Sequence, residues 1–488
     1  MKRLSFCITS FCCALALSAW SQKGIDDILK SYQADKDLQH AQISFCIIDA
    51  ATGKTLKEYN SEMAMIPAST LKIVTTSAAL GILGKNYTYK TNFYLSELPD
   101  AASGTYKGDI LIKGSGDPSF NSSYFYSSDS LFLSAFVKKL KAKGIKKITG
   151  TVKADISCFD NSIPDSWIWN DIGNYFGAGA NGLSYRDNKF SLFYSSAETG
   201  STAKLLRISP EFFSKTISID SEVKAYGTED DAFVYGGPGS YTRNVSGTIP
   251  PNQKNYEVEA QAPNPALFFC YSLADELYKQ KLLDQREDTK PFVNEKKEAL
   301  TFKPEFLFHT HVSPTLEKIV FYTNTKSNNH YAESLLKTIG AARSGKAGTT
   351  VNGISAVETY WKERGVDVSG LHMSDGSGLS RANTVTTKLQ ATILSKIFRD
   401  SLMYPAFNAS LPVAGRNGSM TSLCKGTFAE NNMRAKTGYI NRARGYCGYV
   451  KTKAGKELAF SVLFNNYDCS PKEAKLKIEK LLVALVDL

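Results

Sequence analysis

Ser69-Thr70-Leu71-Lys72-Ile73-Val74-Thr75-Thr76-Ser77-Ala78-Ala79-Leu80 reads as the opening of a helix that carries chemistry in its first turn. Apolar residues at Leu71, Ile73, Val74, Ala78 and Leu80 predict a helix from Ser69 to Leu83. Residues three apart share a helix face, so the Lys72 ammonium can reach the Ser69 hydroxyl. A lysine whose pKa is lowered by burial or by neighbours can act as a base there. A helix N-terminus also favours developing negative charge. Ser-x-x-Lys recurs at Ser201, Ser221, Ser334 and Ser422, so spacing alone does not single out Ser69.

Two further triplets carry chemistry. Ser327-Asn328-Asn329 follows the polar run Thr323-Asn324-Thr325-Lys326, between two helical segments. In a loop, residues two apart can face one cleft. Ser327 can then pass a proton to a departing amine, and Asn329 can hold a substrate carbonyl. A helix N-cap accounts for the triplet equally well, and Ser119-Phe120-Asn121 has the same pattern. Lys436-Thr437-Gly438 occurs once, on a predicted strand after Met433-Arg434-Ala435. Lys436 and Gly438 share a strand face. A glycine lets a substrate backbone lie against the strand edge, and Lys436 with Thr437 can bind a terminal carboxylate. The plain alternative is a solvated strand end.

The surrounding chain falls into three stretches. Gln42 to Tyr59 reads as a hairpin about the turn cluster Ala51-Thr52-Gly53-Lys54. From Thr88 to Glu298 short β-like runs alternate with Gly, Ser, Asn and Pro. Examples are Gly108 to Ile112 and Lys146 to Val152, with helices predicted at Leu131 to Lys143 and Pro265 to Lys279. Helical texture returns at Pro314 to Thr325, Tyr331 to Arg343, Ile354 to Arg364 and Thr387 to Asp400. Strands follow at Met433 to Tyr439, Gly445 to Val450 and Glu457 to Phe464. A last helix is opened by Ser470-Pro471-Lys472-Glu473, a cap, a first-turn proline and a third-position glutamate. Its apolar residues suit packing on a sheet better than a membrane surface. The ends thus read as one α/β unit, and the β-rich middle as an insertion.

Composition sets the outer limits. The 488 residues are 42% hydrophobic and 22% charged, which excludes disorder and coiled coil as overall descriptions. The net charge of +11 favours anionic partners such as wall polymers, acidic peptides or membrane surfaces. No basic block, zinc-finger spacing or RNP-like signature points to nucleic acid. Met1-Lys2-Arg3, the apolar run Leu4 to Leu17 and Ser18-Ala19-Trp20-Ser21 make a secretory signal peptide, with cleavage expected after Ser21. A spanning anchor needs about 20 apolar residues, so no stable membrane anchor is expected. Cys12 and Cys13 lack the small-residue pair of a lipoprotein signal. After cleavage Cys46, Cys158, Cys270, Cys424, Cys447 and Cys469 remain. Those in strand-like apolar runs (Phe45-Cys46-Ile47, Phe269-Cys270-Tyr271) suit free buried thiols. The five histidines form no H-E-x-x-H, and no G-x-S-x-G elbow occurs. His309 and His311 alternate on a strand-like run without a carboxylate or cysteine cluster, so no metal is expected.

In the order S-x-x-K, S-x-N, K-T-G, these triplets resemble the active-site signature of penicillin-binding proteins and serine β-lactamases. Gly114-Ser115-Gly116-Asp117-Pro118, Trp167-Ile168-Trp169-Asn170-Asp171, Ser374 to Arg381 and Leu411-Pro412-Val413-Ala414-Gly415 resemble one branch of that group. It is the D-alanyl-D-alanine carboxypeptidase/endopeptidase family of low-molecular-mass (class C) penicillin-binding proteins, and the likeness runs from about Gln42 to Phe464.

The resemblance implies an α/β (α+β) transpeptidase-like domain, an antiparallel sheet flanked by helices, with β-rich inserted domains. Residues 22–92 and 296–488 would form the catalytic domain, 93–165 and 246–295 a second domain, and 166–245 a third nested within it. Ser69 would attack the penultimate D-alanine carbonyl of a peptidoglycan stem peptide, and Lys72 would take its proton. Ser327 would relay a proton to the departing group and Asn329 would orient the peptide. Lys436, Thr437 and Gly438 would hold the terminal carboxylate and the substrate strand. Backbone N–H groups of Ser69 and Tyr439 would form the oxyanion hole, and β-lactams would acylate Ser69. Asp171 and Phe176 match positions that reach over the cleft, where the aspartate can meet a diaminopimelate ammonium. Arg381 would meet a substrate carboxylate or brace the Asp375-to-Ser380 loop. Two departures stand out: Asn328 where aspartate is common, and Tyr439 where a small hydroxyl residue is commoner. No cofactor is implied. A β-lactamase shares the triplets, though usually on a compact single domain. A silent peptidoglycan-binding scaffold would not need all of Ser69, Lys72, Ser327, Asn329 and Lys436.

Overall fold

The computed structural model describes residues 24–100, 102–126, 129–160, 162–285, 292–294 and 300–488. The expected export signal at 1–21 lies outside them.

The two ends of the chain build one five-stranded antiparallel sheet. Its order is Arg434–Ile440, Ala443–Lys451, Glu457–Asn465, Gln42–Asp49, Thr55–Tyr59. The first strand lies beside the last, with Phe45 opposite Val462. The hairpin turn forms as expected, because the Asp49 carboxylate accepts from Ala51 N and Thr52 N and Gly53 takes φ +77°.

Strand side chains alternate between faces, and here both faces are covered. Cys447, Tyr449, Ala459 and Leu463 pack under the helices Lys72–Leu83, Leu316–Thr325, Asn329–Ser344, Thr350–Glu363 and Thr387–Phe398. Phe45, Ile47, Tyr446, Phe460, Val462 and Phe464 pack under Ile25–Gln33 and Pro471–Ala484. Burial on both sides explains the near-continuous apolar strands. The last helix carries the expected capping box of Ser470 and Glu473 and lies on the sheet.

The middle of the chain builds a second core. Its mixed five-stranded sheet runs Phe292–Asn294, Val152–Asp155, Ile110–Lys113, Lys90–Leu95, Leu307–Val312. The helices Asp129–Ala142 and Pro265–Lys279 contribute to that core. Two three-stranded sheets follow within residues 189–261. The chain leaves and re-enters the end-built unit through Lys90–Leu95 and Leu307–Val312, which are antiparallel neighbours.

Local differences have physical causes. The run from Lys146 to Val152 splits into Lys147–Ile148 and Val152–Asp155, which join different sheets, and between them Gly150 lies against the Gly108 backbone, where a Cβ would sit 2.0 Å from the carbonyl oxygen. Cys270 sits on the helix Pro265–Lys279, not on a strand. The helices Ile25–Gln33 and Tyr404–Ser410 add to those expected. The six described cysteines are unbridged.

Candidate active site

Ser69 lies in the 3-10 turn Ala68–Leu71, which runs directly into the helix Lys72–Leu83. The expected helix therefore begins as a tighter turn. Ala68 holds φ +46°, a left-handed conformation for a residue with a Cβ. Such strain costs roughly 1–3 kcal/mol and persists only where the surroundings enforce it. Two glycines do so. A Cβ at Gly438 would stand 2.5 Å from the Pro67 oxygen and 3.1 Å from the Ser69 nitrogen. At Gly378 (φ +81°) it would stand 1.9 Å from the Ala68 oxygen. Gly438 thus makes room for the Ser69 turn, where the sequence suggested room for a substrate backbone.

Lys72 is fully buried. Its Nζ donates to Ser69 Oγ at 2.9 Å, Asn329 Oδ1 at 2.6 Å and the Ser377 carbonyl at 2.7 Å. Burial lowers its pKa to about 7, against the charges of Asp375 and Glu333, which favour the ammonium. A lysine so placed can exchange a proton with Ser69 near neutral pH.

The second triplet does two jobs. Asn328 caps the helix Asn329–Ser344, accepting from Tyr331 N at 3.1 Å, so its side chain serves the backbone. Ser327 (φ +58°) and Asn329 face the cleft. Asn329 accepts the Lys72 hydrogen bond on Oδ1 and donates through Nδ2 to the Phe176 carbonyl at 2.8 Å. Lys436, also fully buried, donates to Ser327 Oγ at 2.9 Å and to the Thr437 carbonyl at 2.8 Å. Burial, then the neighbouring Lys72 charge, hold its pKa well below the usual lysine value. Thr437 Oγ1 lies 2.6 Å from Ser419 Oγ. Ser69 and Ser327, which both line the cleft, are thus each bonded to a buried lysine.

Behind them stand two buried carboxylates that sequence reasoning missed. Asp375 accepts from Trp167 Nε1 (2.9 Å), Gly378 N (2.7 Å), Ser380 N (2.6 Å) and Asn383 Nδ2 (2.8 Å). Glu333 accepts from Gly376 N at 3.0 and 3.1 Å. Together they fix the loop whose Ser377 carbonyl holds Lys72. Burial, then the Asp375 charge, raise the Glu333 pKa. Helical spacing offered one signal, since Glu333 lies four residues beyond Asn329 and so on its face. Asp375 stood within the Ser374-to-Arg381 segment, but nothing local marked its burial.

The cleft before Ser69 holds about 540 Å³ and is lined by Ser327, Asn329, Asp171, Phe176, Arg381 and Tyr439, among others. Asp171, expected to meet a substrate ammonium, and Arg381, expected to meet a substrate carboxylate or brace its loop, meet each other at 3.1 Å. Burial raises the Asp171 pKa, opposed by Arg381. Phe176 reaches Asn329 through its carbonyl. Tyr439 is half exposed. His309 lies against Lys139 and the Phe93 ring, and His311 against Phe120 and Phe132, all in the middle region. Among the described residues, no cluster of three or more His, Cys, Asp or Glu side chains is placed to hold a metal.

A model of the D-Ala-D-Ala carboxypeptidase 3 (S13) family matches residues 25–487. The D-alanyl-D-alanine carboxypeptidase of Actinomadura sp. (strain R39) is 28% identical over 465 residues, covering 91% of this chain and 81% of that protein. D-alanyl-D-alanine carboxypeptidase DacB of Haemophilus influenzae is 23% identical, covering 98% and 96%. The crystal structure of penicillin binding protein 4 (dacB) from Haemophilus influenzae superposes with a TM-score of 0.78 at 21% identity, covering 95% of this chain and 99% of that one. The fold is therefore that of a penicillin-binding protein.

Proposed function

The chain belongs to the D-Ala-D-Ala carboxypeptidase 3 (S13) family, and from that premise we propose that it cleaves peptidoglycan stem peptides through an acyl-enzyme on Ser69. The observation that carries this reading is the Ser69–Lys72 contact of 2.9 Å beside the Ser327–Lys436 contact of 2.9 Å at one cleft. Neutral Lys72 takes the Ser69 proton as Oγ attacks the penultimate D-alanine carbonyl. Backbone N–H groups of Ser69 and Tyr439 receive the developing oxyanion, where one donor elsewhere is worth roughly 10²–10³ in rate. Ser327, polarised by Lys436, hands a proton to the departing amine. Thr437 and Lys436 hold the terminal carboxylate, and Asn329 orients the peptide. Water then releases the acyl group. A cross-linked peptide presents the same bond, so DD-endopeptidase activity belongs to the same centre.

A β-lactam offers the same geometry with an amide that opens without leaving, so β-lactams acylate Ser69. A Haemophilus influenzae penicillin binding protein 4 of the same fold has been crystallised with a β-lactam. The basic start and apolar run at 1–21 support export to the periplasm, where the substrate lies. No helix among the described residues is long and apolar enough to cross a membrane. Residues 22–92 and 296–488 serve as the catalytic unit, and the middle of the chain lends Asp171 and Phe176 to its cleft.

The test is labelling with a fluorescent penicillin beside Ser69→Ala and Lys72→Ala variants. Stable label on the wild type alone, at the peptide holding Ser69, supports the proposal. Label that decays within seconds points to a β-lactamase, and absence of label sinks the acyl-enzyme reading.

A further inference from the structure

The short helix Trp169–Ile172 faces two ways. Asp171 turns inward, nearly buried, against Arg381 in the cleft wall. Trp169 stands two residues earlier, on roughly the opposite side of the helix, and is 56% exposed. Its indole lies over the Tyr235 ring, with centroids 6.3 Å apart and 28° between the planes. Tyr235 donates its hydroxyl to Asn170 Oδ1 at 3.0 Å, and Asn170 lines the cleft. One hydrogen bond thus joins the aromatic pair to the rim of the site.

The fold holds this pair in place without burying the indole. Asn174 accepts from Val234 N at 2.9 Å and donates to the Asn170 carbonyl at 2.8 Å. A Cβ at Gly173 would stand 2.1 Å from the Val234 oxygen, so the end of the helix lies directly on the strand Asp231–Tyr235. An indole left in water forgoes the gain of burial, yet this one is fixed. Ile168 and Tyr175, 37% and 51% exposed, flank it in the chain. Single exposed apolar residues are ordinary, whereas a clamped cluster beside a cleft marks a binding surface.

Chemistry and position select the occupant. Trp169, Asn170 and Tyr235 carry no charge, so a charged peptide finds no counter-charge on them. The Trp169 indole N–H and Asn170 Nδ2 meet no acceptor among the described residues. A flat neutral ring face beside two N–H donors matches a sugar ring, which offers C–H groups on its face and hydroxyls at its edge. In the reading proposed above, on which this inference rests, a stem peptide lies in the cleft. With its side-chain ammonium at Asp171, two residues separate that amino acid from the sugar bearing the stem. Two extended residues span about 7 Å, which brings the sugar within reach of Trp169 on the same helical turn.

We propose that Trp169, braced by Tyr235 and with Asn170 at its edge, binds a sugar ring of the glycan strand to which the stem peptide is attached. The platform adds affinity for wall-linked substrate and takes no part in the chemistry at Ser69.

The experiment compares kcat and KM on a free pentapeptide stem and on the same stem carried by its N-acetylglucosaminyl-N-acetylmuramyl disaccharide. Wild type, Trp169→Ala, Trp169→Leu and Trp169→Phe are each assayed in parallel for penicillin acylation as a check on the fold. The wild type should prefer the disaccharide-linked stem through a lower KM at equal kcat, the mark of a contact made alike in ground and transition states. Trp169→Ala and Trp169→Leu should lose about fivefold of that preference, the scale of one aromatic contact, and Trp169→Phe should keep part of it. Where Trp169→Ala loses acylation, Trp169→Leu, which keeps apolar bulk without a ring, decides. Equal kcat/KM of the wild type on both stems overturns the proposal and leaves the platform to a protein partner. So does a preference that Trp169→Leu retains in full, or a loss that falls equally on the free stem. A wild type that turns over neither stem and takes no penicillin defeats the underlying functional reading instead.

Discussion

Trp167 donates its indole N–H to Asp375 Oδ2 at 2.9 Å, and both side chains are buried. Through this bond a residue of the middle region is tied to the loop that holds Lys72. A hydrogen bond to a charged group contributes about 1.5–3 kcal/mol. Trp167→Phe keeps the ring and removes the donor. It should lower unfolding free energy by about that amount and slow penicillin acylation. Denaturant titration and stopped-flow acylation would check both, and unchanged acylation would show that the tie is only structural.

The pH profile follows from Lys72. Its pKa is lowered to about 7, and only the neutral amine can accept the Ser69 proton. Acylation should therefore be slow in acid, rise through about pH 7 and level off above it. Glu333 favours the ammonium. Glu333→Gln removes that charge, so the acid limb should move to lower pH. A limb that stays in place, or moves up, would separate Glu333 from Lys72 titration.

Gly438→Ala tests the packing of the Ser69 turn. The new methyl would meet the Pro67 oxygen at 2.5 Å, and either the strand or the turn must move. A misplacement near 1 Å costs on the order of 10²-fold in rate. Acylation should fall by about that factor while circular dichroism keeps the wild-type form. Wild-type acylation would mean that the turn yields freely.

Asp171 and Arg381 close on each other across the cleft wall. A substrate ammonium at Asp171 would compete with Arg381 for the carboxylate. Arg381→Met should therefore favour stem peptides with a free side-chain amine over their acetylated forms. Asp171→Asn should abolish that preference, a loss of about tenfold if one charged contact is made. Equal kcat/KM on both peptides in the wild type would remove Asp171 from recognition.

The sequence displayed what local chemistry encodes. Strand alternation, the Ser470 cap and the Asp49 turn each lie within a few residues, and each formed where expected. The triplets were equally plain, and the resemblance supplied their meeting across 257 positions for Lys72 and Asn329 and 109 for Lys436 and Ser327. Burial of carboxylates was not legible. Asp375 and Glu333 owe their place to N–H donors brought from the loop and from Trp167, and no local pattern announces that. The Asp171–Arg381 pair was hidden for a related reason. Asp171 was read toward a substrate ammonium and Arg381 toward a substrate carboxylate or its own loop, although 210 positions of chain fold to bring them together.

The first strand, Gln42–Asp49, finds its long neighbour only in Glu457–Asn465, near the other end of the chain. A polypeptide is made from its N-terminus, so Ser69 and Lys72 exist long before the strand that carries Lys436 and presses Gly438 against the Ser69 turn. During synthesis the nucleophile has no cleft to work in. Activity switches on only as the last strands settle. A C-terminal truncation that removes them should give an inert chain, not a weakened enzyme.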